Sequence, residues 1–195
     1  MKVKYPAGVI IKKEAPRKQL KKLTSSAANR GMALEQLLNL SNDFYNDTNR
    51  ALITKRPTPI NVVKVDYSRG ARITDAYFEK QSTTDYNGLY RGKYIDFEAK
   101  STTNSTSFPL SNIYSHQFEH LSKVIENGGI AFFIIMFTLI GEIYLIDAKK
   151  IVDFKNAHTR KSIPLTFIKK EGLLLPEGYR PRLDYLTAVD QLFFD

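Results

Sequence analysis

Alternation and helical spacing divide the chain into short, unlike segments. From 29 to about 45, Leu34, Leu37, Leu38, Ser41, Phe44 and Tyr45 recur three or four residues apart, which predicts a helix with one face on a core. KRPTP at 55–59 follows as a rigid connector, because proline neither continues a helix nor donates to a strand ladder. Residues 61–67 and 73–80 alternate around SRGAR (68–72) and predict a hairpin. A second hairpin is predicted between Asp85 and Tyr94, with Asn87-Gly88 and Arg91-Gly92 as turn signals. Its last strand, KYIDFEAK, turns Tyr94, Asp96, Glu98 and Lys100 to one face and Ile95, Phe97 and Ala99 to the other.

Beyond a polar loop at 101–107, a helix is predicted over 115–127. Ser115 is its N-cap, Tyr114, Phe118, Leu121 and Ile125 form its apolar stripe, and Gly128-Gly129 ends it. The apolar run at 130–140 predicts a buried strand, Gly141-Glu142 a turn and 143–147 its hairpin partner. Residues 148–157 predict a short helix, and 184–193 another, with Leu186, Val189 and Phe193 in phase. Helices and strands are interspersed, so the expected fold is mixed α/β (α+β), a central sheet flanked by helices, in a single domain over 25–195.

Composition changes this picture in three places. Cysteine is absent, which excludes disulfides, thiolate zinc sites and cysteine nucleophiles. The longest apolar run has 11 residues, too few to span a bilayer as a helix, and no signal peptide is visible; a soluble, cytoplasmic protein without membrane association is expected. The net charge of +9 is uneven, since nine Lys or Arg within 1–30 face the single acid Glu14. Residues 1–24, with Pro6, Gly8 and Pro16, read as a flexible basic arm, and Lys12, Lys13, Arg17, Lys18, Lys21, Lys22 and Arg30 suit phosphate neutralisation on nucleic acid. A solubilising tail or an anionic membrane would use the same charges.

The charged face of KYIDFEAK has two readings. Alternating charge on a strand is commonly a solvated face. Alternatively, Asp85 and Glu98 lie on adjacent strands of one hairpin, so their carboxylates converge, and a hard divalent cation would relieve their repulsion. Such an ion acidifies water and stabilises charge on a phosphodiester, and Lys100, on the face of Glu98, would neutralise the transition state. Asp96 on that face reads as a structural acid with a hydrogen-bonding role. His116 and His120 have a spacing that can bind zinc, but HQFEH lacks the HExxH order and no third ligand is nearby. His158 reads as a solvated loop residue. Tyr67, Tyr77 and Phe78 read as core residues first and as base-stacking groups second.

Four runs, NRGMALE (29–35), KRPTPINVVKVDY (55–67), AYFEKQSTTDYNGLYRGKYIDFEAK (76–100) and HQFEH (116–120), resemble the RecU-type Holliday-junction resolvases of Gram-positive bacteria. These belong to the restriction-endonuclease-like PD-(D/E)xK nuclease superfamily, and the resemblance covers most of the chain. Matched position by position, it places metal ligands on Thr83, Asp85, Glu98 and Gln117 and a transition-state lysine on Lys100. Glu35 matches an acid that the wider superfamily often sets near the metal. The resemblance implies a Mg²⁺-dependent endonuclease, with Mn²⁺ able to substitute, that nicks four-way junctions symmetrically as a homodimer. It also implies a projecting stalk at about 59–80, whose Lys64, Arg69, Arg72 and Lys80 would meet DNA, and contact with a recombinase filament and a branch-migration motor.

Two features depart from the family pattern. The stalk's basic residues are offset by Asp66, Asp75 and Glu79, and STTNSTS follows Lys100 where another acid is expected. The rival readings are a related nuclease with another DNA target and a non-catalytic junction-binding accessory protein.

Overall fold

The computed structural model describes residues 27–79 and 83–194. The expected arm at 1–24 and Lys80 lie outside them. Five helices and ten strands follow in the order α1 (Ala27–Asp47), β1 (Leu52–Lys55), β2 (Ile60–Asp66), β3 (Arg72–Phe78), β4 (Tyr86–Tyr90), β5 (Lys93–Thr102), β6 (Ser107–Pro109), α2 (Ser115–Glu126), β7 (Ile130–Phe137), β8 (Glu142–Asp147), α3 (Ala148–Ala157), β9 (Ser162–Pro164), α4 (Leu165–Glu171), β10 (Leu173–Leu174) and α5 (Tyr185–Phe193). Six strands form the central sheet in the order β1-β4-β5-β7-β8-β10. Only β5 and β7 run parallel, so the sheet is mixed.

Each face of this sheet is covered. On one, Leu34, Leu38 and Tyr45 of α1 and Tyr185, Leu186 and Val189 of α5 pack on Ile95, Phe97, Phe132 and Ile134. On the other, α2, α3 and α4 bring Phe118, Leu121, Ile151, Phe154 and Ile168 against Phe133, Ile135 and Ile146. β7 is apolar throughout because it is central and buried on both sides. A stack of rings, Tyr86 on Phe97 at 4.9 Å and Phe97 on Phe132 at 4.7 Å, crosses three strands and fixes β4 beside β5.

Among the described residues β2 and β3 pair only with each other, and they form the expected stalk. Tyr67, Tyr77 and Phe78 are exposed on it, the last at 79%, so the core role expected of them is corrected: among the described residues no second layer covers this ribbon. Several local expectations also change. Leu52–Lys55 is an edge strand, so Lys55, read as the start of the connector, ends a strand instead. Asn87-Gly88 is not a turn but lies within β4, where a Cβ on Gly88 would stand 2.1 Å from the Leu52 carbonyl oxygen; the glycine lets β1 approach. The turn falls on Arg91-Gly92 alone, with φ of 48° and 75°. Tyr114, not Ser115, caps α2. β5 runs on to Thr102 into the expected polar loop, and β7 stops at Phe137.

Candidate active site

Asp85 stands at the bend before β4, while Glu98 and Lys100 project from the α2 side of β5. The Asp85 N–H donates to Glu98 Oε2 at 3.2 Å, and the Ala99 N–H donates to Asp85 Oδ2 at 3.3 Å. Each carboxylate is therefore held by the backbone beside the other. Glu98 is 1% exposed, so this charged face is not a solvated edge. Glu98 Oε1 accepts from Gln117 Nε2 at 2.6 Å and pairs with Lys100 Nζ at 2.7 Å. Burial first, and the charge of Asp85 second, push the Glu98 carboxyl up to about 7 against the pull of Lys100.

α2 presents Gln117 from its first turn. The Tyr114 N–H donates to Gln117 Oε1 at 3.0 Å, and a backbone N–H can face only an oxygen, so the amide nitrogen is the end that meets Glu98. Gln117 thus orients Glu98; an amide oxygen for a metal would require this pairing to turn. Thr83 lies half-buried two residues before Asp85. Its neighbour Thr84 is fully buried and donates its hydroxyl to Asp96.

Glu35 belongs to the opposite side of the sheet. It pairs with Lys55 at the end of β1, and both line a pocket of about 150 Å³ with Leu34, Asp85, Tyr86, Ala99 and Ser101. Asp85 thereby borders both half-sites, Glu98 and Lys100 on one side and Glu35 and Lys55 on the other. Lys55 was missed in the sequence because it reads there as part of a connector.

The donor set is compatible with a hard divalent cation. Among the described residues no three His, Asp or Glu side chains converge. Two close carboxylates, completed by neutral oxygens and water, are the usual protein share of a Mg²⁺ site. The zinc spacing is accounted for differently. His120 Nε2 lies 2.8 Å from Asp96, and His116 stacks on Tyr114 with ring centroids 5.5 Å apart. His158 is exposed as expected and also stacks on Phe154.

Lys64, Arg69 and Arg72 are exposed on the stalk, and Arg30 lies in the first turns of α1. Lys12, Lys13, Arg17, Lys18, Lys21, Lys22 and Lys80 lie outside the described residues. Among the described residues, no helix is long and apolar enough to cross a membrane.

The model of the Recombination protein U family matches residues 29–191. The Holliday junction resolvase RecU of Geobacillus kaustophilus (strain HTA426) is 47% identical over 199 residues, covering 100% of this chain and 99% of that protein. The Holliday junction resolvase RecU of Oceanobacillus iheyensis is 52% identical over 172 residues, covering 86% and 88%. The structure of Archaeoglobus fulgidus Hjc, a Holliday junction resolvase, superposes with a TM-score of 0.42 at 11% identity, covering 73% of this chain and 93% of that one. With the family model spanning the central sheet, its stalk and most of α5, and with near-half identity along the whole chain, the protein belongs to the RecU family.

Proposed function

We propose that the chain is a structure-selective endodeoxyribonuclease that resolves four-way DNA junctions by paired, metal-dependent nicks. The observation that carries this reading is the assembled set of Asp85, Glu98 and Lys100: the backbone holds Asp85, at the bend before β4, beside the buried Glu98 of β5, and Glu98 pairs with Lys100 on the same strand face. Asp85 and Glu98 would hold Mg²⁺ (or Mn²⁺), which supplies charge neutralisation at the phosphodiester and acidifies water. Gln117 keeps the Glu98 carboxylate turned towards Asp85. Lys100, freed from Glu98, offers its ammonium to the developing negative charge on phosphorus. The exposed rings and bases of the β2–β3 stalk suit the open centre of a junction, where unstacked bases and converging phosphates are both present.

A four-way junction is pseudo-twofold, so symmetric incision calls for a homodimer, each copy cutting one strand. The setting proposed is cytoplasmic, beside a recombinase filament and a branch-migration motor. The test is incubation with a synthetic mobile junction and the matched linear duplex, in Mg²⁺ and in EDTA, alongside Asp85→Asn and Lys100→Ala. Paired nicks in the junction alone, lost with EDTA and in both variants, are expected. Tight junction binding without any cleavage by the unaltered chain would overturn the reading in favour of an accessory binding protein.

A further inference from the structure

Asp96 stands two residues from Glu98 on the same face of β5, yet none of its contacts belongs to the proposed chemistry. It is 0% exposed and gathers groups from separate segments. Arg56 grips it through Nη2 at 2.7 Å and Nη1 at 3.4 Å. The Tyr94 hydroxyl donates to it at 2.8 Å, Thr84 donates from the residue before Asp85, and His120 Nε2 donates from α2, one turn after Gln117. A buried carboxylate with this many fixed donors forms a rigid knot.

Arg56 extends the knot in two directions. Its own N–H donates to the Asp85 carbonyl at 2.8 Å, and its guanidinium also reaches the Thr84 carbonyl at 3.3 Å. In the other direction it is followed by Pro57-Thr58-Pro59, a stiff tripeptide that leads directly into β2. At the stalk's foot the Glu79 N–H donates to the Pro59 carbonyl at 2.9 Å, so both strands of the stalk are tied to that tripeptide. A displacement of the stalk therefore reaches Arg56 through a segment with little internal freedom, and Arg56 is bonded to the backbone of Asp85.

We propose that Arg56, locked by Asp96, is the joint between the stalk and the nuclease site: a positioning residue that sets Asp85 according to how the stalk is seated. This rests on the junction-resolving reading given above. It explains how a site built from common parts would be made to cut junctions and spare duplex, since only a junction seats the stalk.

The test uses the full chain with Arg56→Gln, Arg56→Lys and the paired Arg56→Gln/Asp96→Asn. Junction affinity is measured in EDTA, single-turnover cleavage in Mg²⁺ at saturating protein, thermal midpoint on each variant, and amide hydrogen exchange across 84–86 and 130–137. Arg56→Gln is expected to bind the junction within twofold of the unaltered chain and to cleave it at least tenfold more slowly, with Arg56→Lys recovering part of the rate. The paired variant, which removes both charges together and so leaves neither stranded, should fold and still cleave slowly, so the comparison survives if Arg56→Gln does not fold. Exchange at 84–86 should quicken while 130–137 is unchanged. A single-turnover rate within twofold of the unaltered chain, or a loss that resides wholly in junction affinity, would overturn the joint. If the unaltered chain cuts no junction, the functional reading fails by itself, and unchanged exchange at 84–86 would separately sink the joint.

Discussion

Glu98→Gln should stabilise the metal-free protein at pH 8 and do little for it at pH 5.5. The folded chain holds the Glu98 carboxyl at about 7, against an ordinary 4.5, because the group is buried and faces Asp85. The folded state therefore binds this proton more tightly than the unfolded state does. The resulting stability is fully present below the ordinary value and is lost as pH rises towards about 7, levelling off above it. With those two values, raising the pH from 5.5 to 8 removes about 2 kcal/mol in the absence of metal. For a chain of this size that is about 4–8 °C in thermal midpoint.

Other carboxylates titrate over the same range, so the informative quantity is the difference between the unaltered chain and Glu98→Gln at each pH, in EDTA, by urea or thermal unfolding. The variant should gain on the unaltered chain by about 2 kcal/mol between the two pH values, less whatever Lys100 loses when its partner becomes neutral. Adding Mg²⁺ at pH 8 should then narrow the gap, because the unaltered site gains a counter-charge that the variant has less use for. A gap that does not change with pH would refute the view that Glu98 is held in a charge-hostile position.

Lys100→Arg keeps the charge beside Glu98 yet should slow single-turnover junction cleavage at least tenfold while binding is retained. Tyr77→Ala and Phe78→Ala, both on exposed positions of β3, should leave stability within about 0.5 kcal/mol and weaken junction binding or cleavage, read by mobility shift and nicking. Gly88→Ala drives a methyl group into the Leu52 carbonyl and should cost about 3 kcal/mol in urea unfolding, mainly by parting β1 from β4. Full stability in that variant would show that the edge strand yields easily.

What could be read in advance depended on how local the signal was. The helices α1, α2, α3 and α5 and the strands β2, β3, β5, β7 and β8 announce themselves through periodicity and bounded apolar runs. β1, β6, β9 and β10 have at most four residues each, too few for a period to show, and they exist because a neighbouring strand offers them a ladder. Asn87-Gly88 looks like a turn in isolation, and only the crowding by Leu52 shows that its glycine serves a close approach. In the site, strand alternation and hairpin pairing are short-range rules and made the convergence of Asp85, Glu98 and Lys100 legible as one of two readings; only the family resemblance chose it over a solvated face. Glu35 was legible as an acid but not as a group on the far face of the sheet, since that placement depends on how α1 crosses it. Arg56 read there as part of a connector and His120 as half of a zinc spacing, and no pattern in the sequence joins them to Thr84; they come together around Asp96.

Asp96 and Glu98 are two buried acids on one strand face, and their partners separate scaffold from chemistry. Asp96 is met by the planar fork of Arg56, which spans both carboxylate oxygens and is itself bonded to Thr84, so no member can leave without stranding another. Glu98 is met by Lys100, a single ammonium on a flexible stem that is 17% exposed and has a route to solvent and to the Tyr114 ring 5.7 Å away. A lysine can withdraw from a carboxylate at small cost, whereas an arginine fork in the same place would hold it. On the proposed reading, Glu98 is thus paired well enough to fold and loosely enough that it would exchange Lys100 for a cation, leaving the lysine for a phosphate. That is the reason Lys100→Arg, conservative in charge, is expected to be damaging in rate: it would turn the reactive end of β5 into a second copy of the knot at Asp96.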